Sequence, residues 1–247
     1  MFYIYSKMLL ICDNNKLIFQ TSEKSNCTAI AKIFFHTLGL LEEALQYHKW
    51  IHKYEQEIYI PNHLPIDSKN YYSYLKLNFV RNPFTRAVSS YLHCMKAAYN
   101  NPTLWKKQFH NLSFEEFLVF FKNGDLKNEY AINHANPQYN PNYYNDFQTI
   151  KIENLETEIQ KINKKYQKNF RMDFTSHHFN NNFVNNNSEH SFCGNIKYFD
   201  LKKLMHLSNL PPYHFFYNER TKQLVTSIYK EDLEYFHYSF EEAFPGI

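Results

Sequence analysis

Two short stretches of the sequence combine residue types that bind anions. The first is Gln20-Thr21-Ser22-Glu23-Lys24-Ser25-Asn26-Cys27-Thr28. An apolar run precedes it and a periodic helix follows. Its end therefore turns the N–H groups of a new helix toward the loop, an arrangement suited to phosphate or sulfate oxygens. Lys24 adds a full positive charge and Thr28 a hydroxyl donor. The loop holds no glycine and its lysine precedes the turn, so it does not fit the Walker A pattern GxxxxGK[ST]. Asn26 is the residue best able to take glycine's left-handed backbone. Taken alone, Lys24 fits an ordinary solvated charge as well. The second stretch is Phe79-Val80-Arg81-Asn82-Pro83-Phe84-Thr85-Arg86-Ala87-Val88-Ser89-Ser90-Tyr91. Arg81 ends a strand and Ser89 lies about two turns into the next helix. A guanidinium fork and a hydroxyl so spaced can meet one phosphate. On spacing alone, a surface charge and a small packing residue fit equally.

The elements that must carry these residues are legible in outline. Leu17-Ile18-Phe19 reads as a strand. Ile30, Ile33, Phe34, Thr37, Leu38, Leu41 and Leu45 follow helical spacing and predict one helix after the first loop. Residues 57–61 (EIYIP) read as a second strand ended by proline, residues 75–80 as a third and residues 149–152 as a fourth. Asn82 caps a helix with Pro83 at its first position, where a missing N–H removes no bond. Phe84, Val88, Tyr91, Leu92 and Met95 form its apolar stripe. Ser113 to Glu116 is a capping box for a helix that ends at Gly124. Asn154 caps another helix to about residue 167, and residues 218 to 236 form a last amphipathic helix. Strands alternating with helices predict a parallel sheet flanked by helices. No repeat or linker divides the chain, so one α/β domain over residues 1–247 is expected.

Bulk properties exclude several classes. The net charge is +3 and the pI about 8.4, too mild for a nucleic-acid protein and compatible with a local basic pocket for a small anion. The four cysteines form no CxxC pair, which suits reduced thiols in a cytosol. The apolar run of residues 8–12 is far shorter than the roughly 18–20 residues that span a bilayer, and no cleavage site follows it. A soluble, cytoplasmic protein without a membrane span is expected. Phe and Tyr are abundant throughout, so aromatic content does not locate a ligand site. No spaced His/Cys set suggests a metal.

FVRNPFTRAVSSY resembles the FVR[DN]PxxRxxSxY segment of sulfotransferases that use 3′-phosphoadenosine-5′-phosphosulfate (PAPS), where it binds the 3′-phosphate. EKSNCTAIAKIFF resembles the same family's 5′-phosphosulfate loop. The closest likeness is to the carbohydrate branch, the Golgi-type family 2, and its bacterial relatives. His134-Ala135-Asn136-Pro137-Gln138 resembles that branch's H-x-x-P-Q segment, Ile152-Glu153-Asn154-Leu155 its "yENL", and residues 229–238 (YKEDLEYFHY) its closing YxxDxxxFxY helix. Together these cover most of the chain in order. Three residues depart from the pattern. Asn26 stands where the family has a loop glycine, Glu23 where it has proline, and Ala29 where a hydroxyl residue is common.

The resemblance implies a P-loop-like three-layer sandwich and a sulfuryl transfer from PAPS to a carbohydrate or glycoconjugate hydroxyl, releasing 3′,5′-ADP. It implies that Lys24, Ser25, Asn26, Cys27, Thr28 and Ala29 cradle the 5′-phosphosulfate, with Lys24 neutralising the leaving oxygen. Arg81 and Ser89 would hold the 3′-phosphate. Of the 13 histidines, His63 matches the branch's catalytic base, placed after the strand between the two cofactor motifs. His134 is the second candidate, as an acceptor-binding residue; a hydrogen-bonded structural histidine fits it too. His177, His178 and His190 read as polar loop residues. Two other functions stay open, a non-catalytic nucleotide-binding protein on the same fold and a P-loop kinase. With no anchor in view, a bacterial cytoplasmic enzyme acting on a surface-glycan precursor or small glycoside is expected.

Overall fold

The computed structural model describes residues 8–63, 71–126, 128–141, 146–172, 192–205 and 211–247. His177, His178 and His190 lie outside the described residues. The architecture is α/β, with a central, mostly parallel four-stranded sheet flanked by helices. The chain falls into two compact units, one made of Met1–Arg81 with Pro141–His178 and the other of Asn82–Asn140 with Phe179–Ile247.

The first unit holds the sheet, in the order β1 (Met8–Cys12), β2 (Leu17–Thr21), β3 (Leu75–Val80) and β4 (Gln148–Lys151). β2, β3 and β4 are parallel, with Thr21 opposite Phe79 and Val80 opposite Lys151. Every residue of β2 is buried, as expected of an inner parallel strand covered on both faces. β1 was expected only as an apolar run. It pairs antiparallel with β2 through a tight turn in which the Lys16 amide donates to the Asp13 carbonyl. The core gathers around Phe19, whose ring meets Phe34, Phe79 and Phe170 edge-on at 5.0–5.4 Å. α8 (Leu155–Tyr166) buries Leu155, Ile159 and Ile162 in the same core.

Two expectations fail in this unit. The long helix after the first loop is broken into α1 (Cys27–Thr37) and α2 (Leu41–Tyr47). Gly39 sits at φ 72°, the Leu40 amide donates to the Phe35 carbonyl, and the Gly39 amide donates to that of His36. That is a Schellman stop, and the apolar spacing simply resumes beyond it. Residues 57–61 are no strand. The chain runs through α3 (Ile51–Tyr54), a π-helical stretch (Glu55–Tyr59) and α4 (Ile60–His63). Tertiary packing overrides β propensity here. Tyr54 and Tyr59 set their rings edge-on against Phe35, and the Tyr59 hydroxyl donates to the Ile11 carbonyl at 2.6 Å.

The second unit is helical. α5 (Pro83–Asn100) starts as expected, with the Asn82 side chain accepting from the Phe84 amide and Pro83 in the first turn. α5 buries Phe84, Val88, Tyr91 and Met95, and the Tyr91 hydroxyl donates to the Leu112 carbonyl. α6 (Phe114–Lys122) carries the expected capping box between Ser113 and Glu116 and stops at Gly124, whose φ is 72°. α7 (Glu129–Ala135) and α9 (Tyr198–Met205) follow. The expected last helix is two, α10 (Glu219–Ile228) and α11 (Lys230–Tyr235), before the short α12 (Phe240–Ala243). The break falls at buried Tyr229, whose hydroxyl donates to the Ala135 carbonyl at 2.7 Å.

Candidate active site

The first loop leaves the carboxyl end of β2, where ligands of parallel sheets bind. It is a constrained turn. The Ser25 amide donates to the Ser22 carbonyl at 3.1 Å, the two serine hydroxyls lie 3.0 Å apart, and Ser25 is fully buried. Asn26 takes φ 62°, ψ 28°, the left-handed geometry that a glycine would supply at this point of the loop, and Lys24 takes φ 65°. The first amides to bond within α1 are those of Ala29 and Ile30, both onto the Asn26 carbonyl. The amides before them belong to the helix N-terminus, whose dipole favours an anion. Amides, a lysine and the Thr28 hydroxyl give this loop a donor set suited to an oxyanion.

Arg81, at the end of β3, reaches this same loop. Its Nη1 donates to the Lys24 carbonyl at 3.0 Å. The contact follows from register, since Thr21 and Phe79 are partners and both chains emerge together two residues on. Lys24 and Arg81, 57 residues apart in sequence, thus meet in the first unit. Ser89 is a half-buried residue on α5 of the second unit, where Val88 and Ser90 beside it are buried.

His63 ends α4 rather than following a strand, so the positional ground for choosing it is gone. Its own geometry still suits a base. The ring is exposed and stacked on Tyr59 at 4.0 Å, and Nδ1 lies 2.7 Å from the Tyr59 carbonyl. A carbonyl only accepts, so Nδ1 carries the proton and the neutral ring keeps its lone pair on Nε2.

His134 lies on α7, with Nδ1 donating to the Tyr130 carbonyl and its ring stacked on Tyr130 and His93. Its backbone carbonyl accepts from the Ser90 hydroxyl at 2.6 Å. The looser motifs explain each other here. Asp232 of α11 accepts from the amides of Gln138 and Tyr139 at 2.9 and 2.6 Å, and Tyr229 bonds Ala135. The closing YxxD segment is therefore a clamp on the H-x-x-P-Q segment.

Sequence reading missed His52. It is 4% exposed, with Nδ1 2.6 Å from the Glu55 carboxylate and Nε2 3.1 Å from the Thr28 hydroxyl of the loop. Burial works to lower its pKa. The Cys27 thiol and the Glu55 carboxylate outweigh that and push it up to about 9. The i, i+3 spacing of His52 and Glu55 was visible in the sequence. Their link to Thr28, across 24 residues, was not.

Among the described residues no helix is long and apolar enough to cross a membrane, and no three His, Cys, Asp or Glu side chains gather into a set that would hold a metal ion. Compared with known proteins, the chain matches the model of the sulfotransferase family over residues 7–239. No curated protein and no solved structure matches it.

Proposed function

We propose, from the premise that the chain belongs to the sulfotransferase family, that it transfers a sulfuryl group from PAPS to a hydroxyl of a carbohydrate or glycoconjugate. Sulfuryl transfer itself is the chemistry of the family. The donor, the acceptor class and the residue roles are this reading's own. The observation that carries it is the bond from Arg81 to the Lys24 carbonyl, which joins the two anion-binding stretches at one end of the sheet.

PAPS, when bound, would supply an activated sulfuryl group flanked by two anionic ends. The protein's part is positioning and charge, as in phosphoryl transfer. Amides of residues 26–28 and the Thr28 hydroxyl would hold the 5′ end, since the Ser25 and Ala29 amides are already spent on the Ser22 and Asn26 carbonyls. Lys24 would neutralise charge on the oxygen that departs. Arg81 and, on its spacing in the sequence, Ser89 would hold the 3′-phosphate. His63 would take the acceptor hydroxyl's proton on Nε2, near neutral pH, where an imidazole is suited to the task. His134, with its stacked neighbours, would contact the acceptor. The reaction would be cytoplasmic, on a bacterial glycan precursor or small glycoside.

Thermal stability tests the donor assignment. A ligand at 100 times its dissociation constant stabilises by about 2.7 kcal/mol, roughly 5–10 °C in Tm for a chain of this size. We expect 3′,5′-ADP to give a shift of that order, 5′-ADP and ATP much less, and Arg81→Ala to abolish it. An equal shift with ATP would move the protein toward a kinase-like function. No shift with any nucleotide would remove the donor assignment.

A further inference from the structure

The buried pair His52 and Glu55 has no role in the reaction as drawn above, yet it touches the anion loop. Both side chains are almost fully enclosed, at 6% and 1% exposure. A base must reach the acceptor, and His52 is shut behind Thr28 with both ring nitrogens engaged. Its neighbour Glu55 opens the π-helical stretch, a rare geometry that recurs at functional positions.

The direction of each hydrogen follows from the partners. An ionised carboxylate only accepts, so Nδ1 donates to Glu55. Nε2 then has two possible states. In a neutral ring it accepts, and the Thr28 hydroxyl spends its only hydrogen on His52. In an imidazolium it donates, and the Thr28 hydrogen is released to point elsewhere. Thr28 is the exposed second residue of α1, at the helix end that faces the loop.

Resting on the reading of this loop as the 5′-phosphate site, we propose that His52, held by Glu55, is a positioning residue that sets Thr28 as a hydrogen-bond donor to the bound anion. The pair, neutral overall, turns the positive end of a buried imidazolium–carboxylate dipole toward the Thr28 hydroxyl, in an environment where bulk water screens it little. The groups facing His52 are Glu55, the Cys27 thiol and the Thr28 hydroxyl of α1, and the Trp50 ring at 5.6 Å. From α2, Glu43 is engaged by the Tyr54 hydroxyl. The raised pKa of His52 agrees with an imidazolium at neutral pH.

Two measurements on the intact chain test this. In the first, ¹⁵N-histidine NMR near neutral pH should find both nitrogens of His52 protonated. A pyridine-like Nε2 would overturn the proposal. In the second, calorimetric titration with 3′,5′-ADP compares wild type, Thr28→Val, His52→Gln and the double variant. Each single variant should bind about tenfold more weakly, and the double no more weakly than either, because the two residues act as one unit. Wild-type affinity should also fall as pH rises through about 9, and Thr28→Val should lack that fall. Additive losses, or the same pH profile in both proteins, would overturn the proposal. Thr28 is exposed, so Thr28→Val reads out even where His52→Gln does not fold. Wild type that binds no 3′,5′-ADP would sink the donor assignment instead, while the NMR result would still report on His52.

Discussion

Lys24→Met is expected to lower the rate of sulfuryl transfer by about 10²–10³-fold, the range found when one donor to developing charge is removed. The effect should fall on kcat. The departing oxygen gains charge only as its bond to sulfur breaks, so a lysine aimed at it acts on the transition state. Binding of 3′,5′-ADP should change only a few-fold by comparison. The backbone supports this role. Lys24 is fixed at φ 65°, and its carbonyl is held by Arg81 at 3.0 Å, so the residue's Cα is set before any ligand arrives. Release of 3′,5′-ADP from PAPS, followed with and without a panel of glycosides, gives the rate. A variant that keeps the wild-type kcat and loses only affinity would assign Lys24 to binding.

Asp232→Ala should have the largest effect on stability. Asp232 is 0% exposed, accepts from the amides of Gln138 and Tyr139 and lies within the field of the equally buried Arg86. Removing it leaves two amides without their acceptor and takes a carboxylate out of the surroundings of Arg86. Stranding these buried groups costs about 3–5 kcal/mol, or roughly 10 °C in Tm for a chain of this length. Urea unfolding followed by circular dichroism measures it. Because α11 clamps the segment that bears His134, the variant should also lose order there, visible as faster amide exchange at residues 134–139. A loss below about 1 kcal/mol would show that the clamp is dispensable.

Much of the fold was legible because local chemistry and tertiary packing agree there. β2 begins as an apolar run and β3 sets Leu75, Leu77 and Phe79 in alternation, and both end up as inner strands, while Asn82-Pro83 and Ser113 to Glu116 are self-contained start signals and Gly124 is a stop. The failures share one cause, a partner distant in sequence. Ile58, Tyr59 and Ile60 carry β propensity, and the rings of Phe34 and Phe35, with the Ile11 carbonyl, decide that Tyr59 belongs to a helix. Gly39 was readable as a stop, but apolar spacing that continued to Leu45 masked it. The same holds at the site. Asn26 was chosen on its own backbone preference and adopts it. His63 was chosen on a strand that does not exist. His52 was overlooked because its meaning comes from Thr28.

Two non-glycine residues in left-handed geometry, Lys24 and Asn26, have a consequence for how the loop meets its ligand. Such residues hold about 1–2 kcal/mol of local strain each, less for asparagine, where glycines would hold almost none. A glycine loop, in turn, is loose before binding and must be stilled when the anion arrives. This loop exchanges ordering entropy at the moment of capture for tension stored at the moment of folding. Its anion should therefore bind with a smaller entropic penalty, and the loop should look much the same with or without it.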